Sequence, residues 1–559
     1  MRDINAVYNE WLKLATLPEI RKELEEMTPD MRESAFFKDL SFGTGGLRGV
    51  MSAGTNRMNY YTVAKATRGL AAYINGELSH CKKVAIGYDS RNNSEEFART
   101  AARILASLGI TVYIYRELLP TPMLSYAVRV LGCSMGIMIT ASHNPAEYNG
   151  YKVYREDGCQ ITEEVAEKIS ENIEKTPTFT NTEYAEFDTL LNLGAISYIG
   201  DDVYESFISE VLSQSVIATP TDADKSIKVV YSPLNGTGRK PVLRTLAEAG
   251  FTNVKVVSEQ EMPDGNFTTC PYPNPEIPEA MRLGLEYAKD CEAELLLATD
   301  PDCDRVGVGV RLPDGAYTLL TGNEVGLLLL DFICKLRTKN GTMPKEPVIV
   351  KTIVTTDLAE KIAASYGVQV ANVLTGFKYI GEYIGNLEAA ACEENYIFGF
   401  EESCGYLSSG YVRDKDGVCA ALLVCEVAAY YRRHGKSLYE ALLDIYKTYG
   451  FCQNTLKSYS FDGPQGFSDM QRIMQSLRGG VDSFAGIKVR ECLDYSFGID
   501  GLPKSDVLKF LMDGDCSVVV RPSGTEPKLK LYVSVNAENP ECASDKTNAI
   551  IGAIESFIK

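Results

Sequence analysis

One pattern occurs three times along the sequence: a strand, a loop, a helix that ends at glycine, and a second strand. The first copy predicts a strand over 83–88, a helix over 94–108 and a strand over 110–115. The second copy begins at 227–231 and the third at 347–354. This order is typical of a βαβ unit, and the glycine supplies the left-handed residue that ends its helix. The repeat therefore predicts three similar α/β domains.

The stretch after residue 450 follows a different pattern. Its apolar runs are short and lie beside turn residues, and residues 516–535 predict a hairpin. We therefore expect a fourth domain of the α+β class. The length of 559 residues agrees with several domains, because it exceeds what one hydrophobic core usually serves. The expected domains cover residues 1–200, 201–315, 316–448 and 449–559.

The charge of the chain excludes one class of partner. There are 75 acidic and 56 basic residues, a formal net charge of −19, and no dense basic run. A nucleic acid backbone would be repelled by this field, so we expect no nucleic acid partner. A phosphorylated ligand would need cations gathered locally around it.

The cysteines, the histidines and the hydropathy of the chain restrict its cellular compartment and its chemistry. Fifteen cysteines are scattered without any C-x-x-C pair, which favours reduced thiols in a cytoplasmic protein over disulfides or a zinc ribbon. Only three histidines occur in the whole chain, which nearly excludes zinc hydrolases that need two or three histidine ligands. The polar N-terminus does not resemble a signal peptide, and no apolar run is long enough to span a bilayer. We therefore expect no membrane association.

A serine follows an apolar run of strand length. The run covers 134–139, and the segment Thr140-Ala-Ser-His-Asn-Pro145 comes directly after it. Ligand sites in α/β sheets lie at the carboxyl ends of strands, so the hydroxyl of Ser142 would face a cleft. The alternative is an ordinary polar turn, because serine, asparagine and proline are common in turns. These residues alone leave both interpretations open.

A second apolar strand, 293–298, leads into three closely spaced carboxylates, those of Asp300, Asp302 and Asp304. Side chains at alternate positions of an extended segment point to one side, so the three converge. Their mutual repulsion favours a bound divalent cation, and Mg²⁺ suits a loop with only a few oxygen ligands. The alternatives are an acidic surface turn or a weak calcium site. However, Arg305 and Arg311 stand where an EF-hand needs Gly and Glu.

Three further segments carry weaker signals. Residues 400–405, with 375–378 upstream, place glutamate and serine where they could hold sugar hydroxyls or cap a helix. Residues 521–528 combine an arginine with a Ser-Gly-Thr turn, which suits a phosphate cradle better than a plain hairpin turn. Residues 43–49 are rich in glycine and could approach a phosphate or form a turn.

These five segments, in this order, resemble the α-D-phosphohexomutase superfamily, which includes phosphoglucomutases and phosphomannomutases. The match runs from about residue 43 to 530, and residues 376–379 and 400–403 are most similar to the longer phosphoglucomutase and phosphopentomutase branch. The resemblance implies four domains around a central cleft. The first three share a mixed-sheet α/β topology, the fourth is α+β, and each contributes one loop to the cleft.

The resemblance also implies roles for individual residues. Ser142 is similar to the serine that becomes phosphorylated, and its phosphoryl oxygen would complete a Mg²⁺ site made by Asp300, Asp302 and Asp304. The residues implied in catalysis or its support are Arg48, His143 and Lys152, besides Ser142. The residues implied in substrate binding are Glu401 and Ser403 for the sugar, and Arg521, Ser523, Gly524 and Thr525 for the phosphate that does not react. Arg305 and Lys378 are expected to add positive charge to the cleft.

One residue of the superfamily pattern is absent. Several members carry Gly-His soon after the sugar-loop serine, and that histidine serves in acid/base chemistry, but Cys404-Gly405-Tyr406 stands here. Lys152 is then the remaining candidate for proton transfer. Pro301 and Cys303 replace glycines that are common between the metal-binding aspartates, a change that an extended loop accommodates.

The resemblance implies a phosphosugar mutase that interconverts hexose 1-phosphate and hexose 6-phosphate, with glucose preferred, through a phosphoserine and glucose 1,6-bisphosphate. A phosphopentomutase or a phosphomannomutase would share this mechanism. Two other classes stay open: a hexose-bisphosphate synthase that releases the intermediate, and a non-catalytic sugar-phosphate sensor, which the intact serine and aspartates disfavour. We expect one Mg²⁺ per chain, small sugar phosphates as partners, and a monomer or weak dimer.

Overall fold

The computed structural model describes residues 2–78, 80–461, 463–499, 501–523 and 528–558. Within these ranges the strands form four sheets that follow one another along the chain. Three are mixed α/β sheets and the fourth is a separate antiparallel sheet, which confirms the predicted fold class. None of the described helices is long and apolar enough to cross a membrane. The predicted domain boundaries stay predictions.

Three helices precede the first sheet and pack around a tryptophan. They are α1 (Ile4–Leu14), α2 (Pro18–Glu26) and α3 (Pro29–Phe36). Asp3 and Thr28 cap α1 and α3 through side-chain oxygens. Trp11 is buried, and its ring meets Phe36 and Phe179 edge-on. These aromatic contacts fix the helices against the first unit.

The first unit contains a six-stranded sheet in the order β1-β5-β4-β2-β3-β6. Its strands are β1 (Leu47–Val50), β2 (Lys83–Tyr88), β3 (Thr111–Ile114), β4 (Met135–Ile139), β5 (Tyr148–Arg155) and β6 (Ile196–Tyr198). Its helices are α4 (Tyr60–Glu77), α5 (Ser94–Ser107), α6 (Thr121–Val130), α7 (Glu163–Lys175) and α8 (Phe187–Asn192). β5 is antiparallel to β4 and β1, while β4, β2, β3 and β6 are parallel. The serine loop therefore joins β4 to β5 at the carboxyl end of the parallel strands.

The second unit begins with α9 (Asp201–Ser213) and contains a sheet in the order β11-β10-β9-β7-β8. Its strands are β7 (Val229–Ser232), β8 (Val254–Val256), β9 (Leu295–Thr299), β10 (Val306–Arg311) and β11 (Tyr317–Leu320). Its other helices are α10 (Arg239–Glu248), α11 (Ser258–Glu261) and α12 (Pro278–Cys291). The aspartate loop joins β9 to β10, which are antiparallel. It leaves β9 at the carboxyl end of that strand, as the sequence predicted.

The third unit contains a four-stranded sheet in the order β13-β12-β14-β15. Its strands are β12 (Val348–Thr352), β13 (Gln369–Val373), β14 (Tyr396–Glu401) and β15 (Gly405–Leu407). Its helices are α13 (Gly322–Asn340), α14 (Leu358–Ser365), α15 (Phe377–Ala389), α16 (Gly417–Arg433) and α17 (Leu438–Tyr449). The sugar-loop segment lies in the tight turn between β14 and β15.

Each of the three predicted repeats is confirmed as a parallel βαβ unit. The pairs are β2 with β3, β7 with β8, and β12 with β13. The glycines that end the three crossover helices, Gly109, Gly250 and Gly367, all have φ between 69° and 90°. This is the left-handed region in which a residue without a Cβ is not strained.

The fourth unit is a six-stranded antiparallel sheet in the order β16-β21-β20-β19-β18-β17. Its strands are β16 (Phe451–Ser460), β17 (Ser483–Phe484), β18 (Ile487–Asp494), β19 (Leu508–Met512), β20 (Cys516–Pro522) and β21 (Lys528–Ala537). Its helices are α18 (Gly463–Arg478) and α19 (Pro540–Ile558). β20 and β21 form the hairpin that the sequence predicted.

The first three units share a hydrophobic core, whereas the fourth unit has its own. One continuous cluster contains buried side chains from the first three units, such as Met138, Leu297 and Phe400. The fourth unit has a core of its own, built around residues such as Phe510 and Ile550. A small cluster, which includes Ile353 of the third unit and Tyr532 of the fourth, lies between the two. The first three units therefore share one packed body, and the fourth is attached to it.

Candidate active site

Ser142 lies at the start of the loop between β4 and β5 and is buried. Its Oγ donates to Oδ2 of Asp300 at 2.9 Å, and Nδ1 of His143 lies 3.2 Å from the same oxygen. The backbone of Ser142 has φ 52°, a left-handed conformation that costs about 1–2 kcal/mol for a residue with a Cβ. A hydrogen bond from its N–H to Thr140 Oγ1, 2.8 Å long, helps to hold it. The serine is thus presented to the second unit in a conformation that needs support.

Most of that support comes from Arg91, a residue that the sequence analysis did not identify. Its guanidinium is buried and donates to four backbone carbonyls of the serine loop, those of Ser142, Asn144, Pro145 and Tyr148. It also pairs with Asp89 at 3.3 Å and lies 5.0 Å from the centre of the Phe267 ring. Arg91 follows the carboxyl end of β2, which neighbours β4 in the sheet. This position after a strand is the sequence feature that could have identified it as a site residue.

The three aspartates converge as predicted. One carboxylate oxygen from each of Asp300, Asp302 and Asp304 lies within 4.8 Å of the others, and all three residues are buried. Oδ1 of Asp302 and Oδ1 of Asp304 have no hydrogen-bond partner among the described residues. A buried acceptor without a partner is costly, and three oxygen donors at one point suit a hard divalent cation. The buried triad therefore fits a metal site.

Burial and mutual repulsion act on the protonation of this triad. Burial, together with the charges of Asp304 and Asp302, raises the pKa of Asp300 well above its ordinary value. Burial opposes ionisation of Asp302 as well, but the ammonium of Lys152 holds the pKa of that carboxyl below its ordinary value. A cation bound by the three aspartates would relieve the repulsion that raises the pKa of Asp300.

A second loop of the same unit supports the aspartate loop. The N–H and Oγ1 of Thr237 both donate to the carbonyl of Pro301, at 2.8 and 2.9 Å. A Cβ on Gly236 would lie 2.4 Å from Cα of Pro301, so only glycine permits this approach. The Asn235-Gly-Thr-Gly238 segment of the second repeat thus has a defined role, which is to hold the aspartate loop.

The first and third units also hold the aspartate loop. Thr121, at the start of α6, donates its hydroxyl to Oδ2 of Asp302 and its N–H to the carbonyl of the same residue, both at 2.9 Å. The N–H of Gly417, at the start of α16, donates to the carbonyl of Cys303 at 3.1 Å. The loop is therefore fixed from three sides by backbone and side-chain hydrogen bonds.

Two buried lysines pair with the triad. Nζ of Lys152 lies 2.9 Å from Oδ2 of Asp302, and Nζ of Lys415 lies 3.2 Å from Oδ2 of Asp304. Burial disfavours the ammonium of Lys415, but Asp304 and Asp414 outweigh it and raise the pKa of this lysine. The side chain of Lys415 is therefore positively charged beside Asp304.

Lys415 was missed by the sequence analysis. It lies in the charged run Arg413-Asp-Lys-Asp416 before α16, which resembles an ordinary helix start. A Cβ on Gly405 would lie 2.1 Å from Cδ of Lys415. Gly405 belongs to the Cys404-Gly405-Tyr406 segment that stands in place of the expected histidine. The missing side chain at this glycine leaves the room through which Lys415 reaches the triad.

The sugar-loop residues lie at the end of β14. Oε1 of the buried Glu401 accepts the N–H of Gly376 at 2.9 Å. Burial raises the pKa of Glu401 to about 7, with Glu402 adding to the increase and Lys415 opposing it. Ser403 is half-buried in the turn that follows. These carboxylate and hydroxyl groups suit hydrogen bonds to neighbouring sugar hydroxyls.

The predicted cations of the cleft lie in different surroundings. Arg305 pairs with Glu276 and lies 3.8 Å from Asp304. Nη1 of the exposed Arg48 donates to Asn144 of the serine loop at 2.9 Å. The ammonium of Lys378, in contrast, is paired at 2.7 Å with Glu163 of the first unit. Arg48 and Arg305 are thus placed beside the serine and aspartate loops, and Lys378 bridges the first and third units.

His143 is half-buried beside Ser142. Burial and the nearby charges of Arg305 and Arg48 hold its pKa well below the ordinary value, so the ring is neutral. Because the hydroxyl of Ser142 donates to Asp300, a neutral ring with its proton on Nδ1 can donate to Oγ. His143 therefore orients the serine oxygen.

The phosphate-loop segment begins at the end of β20 in the fourth unit. Nη2 of Arg521 lies 3.2 Å from the hydroxyl of Tyr532, and its Nε is buried without a partner among the described residues. The N–H of Ser523 donates to the carbonyl of Lys528 at 2.7 Å. Gly524 and Thr525, the other predicted residues of this loop, lie outside the described residues.

Comparison with known proteins agrees with this architecture. Models of the phosphoglucomutase/phosphomannomutase family match in order: alpha/beta/alpha domain I at residues 39–179, domain II at 205–312, domain III at 321–449, and the C-terminal domain at 474–541. A phosphoglucomutase of Staphylococcus saprophyticus is 37% identical over 542 residues, covering 95% of this chain and 96% of that protein. A phosphoglucomutase of Staphylococcus haemolyticus is 35% identical, covering 98% of this chain and 99% of that protein.

Solved structures share the fold at lower sequence identity. A phosphoglucomutase/phosphomannomutase family protein from Burkholderia thailandensis matches with a TM-score of 0.68 at 18% identity, over 92% of this chain and 97% of that chain. The open form of parafusin, a phosphoglucomutase from Paramecium, matches with a TM-score of 0.69 at 18% identity, over 93% and 95%. With the four domain models and the two relatives, the resemblance drawn from the sequence is confirmed: the chain belongs to the phosphoglucomutase/phosphomannomutase family of mutase isomerases, within the α-D-phosphohexomutase superfamily.

Proposed function

We propose that this chain is a phosphoglucomutase that carries a phosphoryl group on Ser142. The observation that supports it most is the direct hydrogen bond from the Ser142 hydroxyl to Asp300, a member of a buried carboxylate triad with unpaired oxygens. A serine placed against a cation site is what phosphoryl transfer needs, because positioning and charge neutralisation supply most of the catalysis. The full-length relatives at 35–37% identity carry the name phosphoglucomutase.

The proposed cation is Mg²⁺, held by Asp300, Asp302 and Asp304 with an oxygen of phosphorylated Ser142. The three aspartates supply carboxylate oxygens, a ligand type that suits Mg²⁺. When bound, Mg²⁺ neutralises charge on the transferring phosphoryl group. The ammonium groups of Lys152 and Lys415 add positive charge from the protein side.

In the proposed reaction, the Oγ–P bond of phosphorylated Ser142 breaks while a free hydroxyl of the sugar monophosphate forms a new O–P bond. The product is a bound sugar bisphosphate, glucose 1,6-bisphosphate for the glucose substrate. The sugar hydroxyl loses a proton and the serine oxygen regains one, and Lys152 is the proposed carrier. The bisphosphate then turns end for end, and its other phosphate returns to Ser142.

The substrate would be held at two points. Glu401 and Ser403 would bind sugar hydroxyls, and the loop that begins at Arg521 and Ser523, with Gly524 and Thr525, would bind the phosphate that does not react. Arg48 and Arg305 would contact the phosphoryl group near Ser142, with Lys378 at the border of the first and third units. Closure of the fourth unit over the sugar would exclude water and so limit hydrolysis of the phosphoserine.

We also propose a cytoplasmic enzyme, a monomer or weak dimer, that acts on small sugar phosphates and not on nucleic acid. The net charge of −19 and the fifteen free thiols support this setting.

Assays on three substrates test the proposal. Glucose, mannose and ribose 1-phosphates are supplied separately with Mg²⁺ and a trace of glucose 1,6-bisphosphate, and formation of the 6-phosphate or 5-phosphate is followed. We expect the highest kcat/KM for glucose 1-phosphate and no turnover by Ser142→Ala. A Ser142→Ala enzyme with full activity would refute the mechanism. A higher kcat/KM for ribose or mannose 1-phosphate would refute the glucose assignment.

A further inference from the structure

The side chain of Asp357 does not cap the helix that it precedes. It is the N-cap residue of α14, where an aspartate ordinarily accepts hydrogen bonds from the first turn of its own helix. Here its side chain makes no such bond with the described residues of α14. Its Oδ1 instead lies 3.0 Å from Nζ of Lys351 and 2.8 Å from Nζ of Lys509, and its Oδ2 accepts the hydroxyl of Ser517 at 2.9 Å. We call these four residues the Asp357 junction.

The Asp357 junction ties two sheets together. Lys351 lies in β12 of the third unit and is fully buried, while Lys509 and Ser517 lie on the neighbouring strands β19 and β20 of the fourth unit and are 5% exposed. Lys351 has a second partner, Glu360, at 3.2 Å. Buried charges of this kind are held tightly, because removing one partner leaves another charge in a poorly solvated place.

Asp357, Lys509 and Ser517 line an opening at this border between the third and fourth units. A cavity of about 930 Å³ lies there, lined from the third unit by residues such as Asn372 and Tyr383 and from the fourth by residues such as Arg490 and Leu511. Another ion pair that crosses the border, Lys361 with Asp515 at 3.0 Å, is exposed on both sides. Exposed pairs of this kind contribute little.

The two sides of the Asp357 junction, β12 in the third unit and β20 in the fourth, each connect to a proposed substrate loop. β12 carries Lys351 and ends at Thr352, whose Oγ1 lies 2.8 Å from Oγ1 of Thr355, and the Thr355 hydroxyl donates to Glu402 of the sugar loop at 3.2 Å. β20 runs from Ser517 directly to Arg521 at the start of the phosphate loop. One path is a short chain of hydrogen bonds and the other a continuous strand, so a shift at Asp357 would move one loop relative to the other.

We propose that Asp357 is a positioning residue that sets the separation between the sugar loop and the phosphate loop, and through it the length of sugar phosphate that the site accepts. This inference rests on the proposed function, because both loops act only if the substrate bridges them. A hexose phosphate and a pentose phosphate differ in the distance between the phosphate and the far hydroxyl. A junction that fixes the separation of the loops therefore selects between them.

The test compares Asp357→Asn with Lys361→Gln, which removes a charge from the exposed ion pair across the same border. For Asp357→Asn we expect the KM for glucose 1-phosphate to rise about tenfold while kcat stays within about threefold, because substrate is held less well but the serine and aspartate loops are untouched. We also expect the ratio of kcat/KM for glucose over ribose 1-phosphate to fall. Lys361→Gln should change neither value by more than about twofold. An unchanged KM and substrate ratio in a folded Asp357→Asn enzyme would overturn the proposal.

Two further measurements keep the test decisive. If Asp357→Asn does not fold, Ser517→Ala removes a single hydrogen bond to the Asp357 carboxylate and leaves both lysines paired with it. A KM identical to that of the unchanged chain would then overturn the proposal. Small-angle X-ray scattering of the full chain without substrate needs no activity. We expect a larger radius of gyration for Asp357→Asn than for the unchanged chain, and superimposable curves would overturn the proposal. A chain that is inactive on every sugar phosphate would refute the proposed function, while the scattering comparison would still decide the role of Asp357.

Discussion

The aspartate loop and the phosphate loop are held in contrasting ways. The aspartate loop is buried and receives hydrogen bonds from Thr237, Thr121 and Gly417, which belong to three different units of one packed body. The phosphate loop lies between the two strands of a β-hairpin, β20 and β21, in a unit that has its own core. The contacts of that unit with the rest include a small apolar cluster, the Asp357 junction and the exposed Lys361–Asp515 pair. In the proposed mechanism the reacting centre therefore lies in one packed body, while the far end of the substrate would be held by a unit with a core of its own.

This contrast predicts different kinetic effects for the two regions. A change at the aspartate loop alters groups that act on the transferring phosphoryl, so it should lower kcat. A change at the phosphate loop removes binding that is equal in the ground and transition states, so it should raise KM.

The largest effect is expected for Asp302→Asn. The substitution removes one negative charge from the triad and leaves the buried ammonium of Lys152 without its nearest carboxylate. We expect kcat to fall about 10³-fold and Mg²⁺ to bind more weakly, measured by steady-state kinetics and titration calorimetry. Asp314→Asn, in an exposed turn of the same unit, is the control and should behave as the unchanged chain. A variant with normal kcat would show that the triad does not act on the reaction.

Arg91→Lys should have the next largest effect. A lysine ammonium cannot reach four carbonyls in the way that a planar guanidinium does, so the left-handed Ser142 would lose support. We expect kcat to fall about 10²-fold with a small change in KM, because misplacement of the reacting atom by about 1 Å is enough for such a loss. The control is Arg99→Lys, since Arg99 is a partly exposed arginine on α5. Equal kinetics in the two variants would contradict the role given to Arg91.

Arg521→Ala tests the other side of the comparison. Loss of a charged hydrogen-bond donor from the phosphate loop should raise the KM for glucose 1-phosphate about 10- to 100-fold, with Mg²⁺ affinity unchanged. Arg472→Ala, an exposed arginine of the same unit, should leave KM unaltered. If Arg521→Ala lowered kcat alone, the division between a reacting centre and a binding loop would be wrong.

The smallest effect is a pH dependence at Glu401. Burial raises its pKa to about 7, so this carboxyl is protonated in the free enzyme at pH 6 and ionised at pH 8. Because the carboxylate is the better acceptor for sugar hydroxyls, kcat/KM should rise several-fold between these values. Glu401→Gln should be slower and lack this rise. A wild-type profile that is flat between pH 6 and 8 would contradict the assignment.

The same shift has a consequence for stability with a defined sign. The folded state holds a proton on Glu401 over a pH range in which the unfolded chain has already lost it. The contribution of this residue to stability therefore falls as pH rises from the ordinary pKa of glutamate toward 7.

The sequence predicted the parts of the site that follow strands. The hairpin of β20 and β21, the three βαβ units, and the segments around Ser142 and Asp300 each depend on local alternation of apolar and turn residues. The family resemblance then supplied the proposed role of each segment. From the sequence, Ser142 and Asp300 were each expected at the end of a strand. The structure shows that the two side chains are hydrogen-bonded to each other.

Residues that act through long-range contacts were not predicted. Lys415, in the segment before α16, reaches Asp304 because Gly405 on β15 leaves space for its side chain. Arg91 acts on carbonyl groups, and a sequence does not show which backbone oxygens a buried arginine will meet. Asp357 has the sequence pattern of a helix cap, and its partners in the fourth unit come from distant strands.

The account depends most directly on Ser142 as the phosphoryl carrier. The purified chain is incubated with glucose 1,6-bisphosphate and Mg²⁺, and its intact mass and phosphopeptides are measured before and after glucose 1-phosphate is added. The account predicts one phosphoryl group, located on Ser142, that leaves the protein with sugar phosphate, and none on Ser142→Ala. A stable phosphoryl group on another residue, or none during turnover, would contradict it.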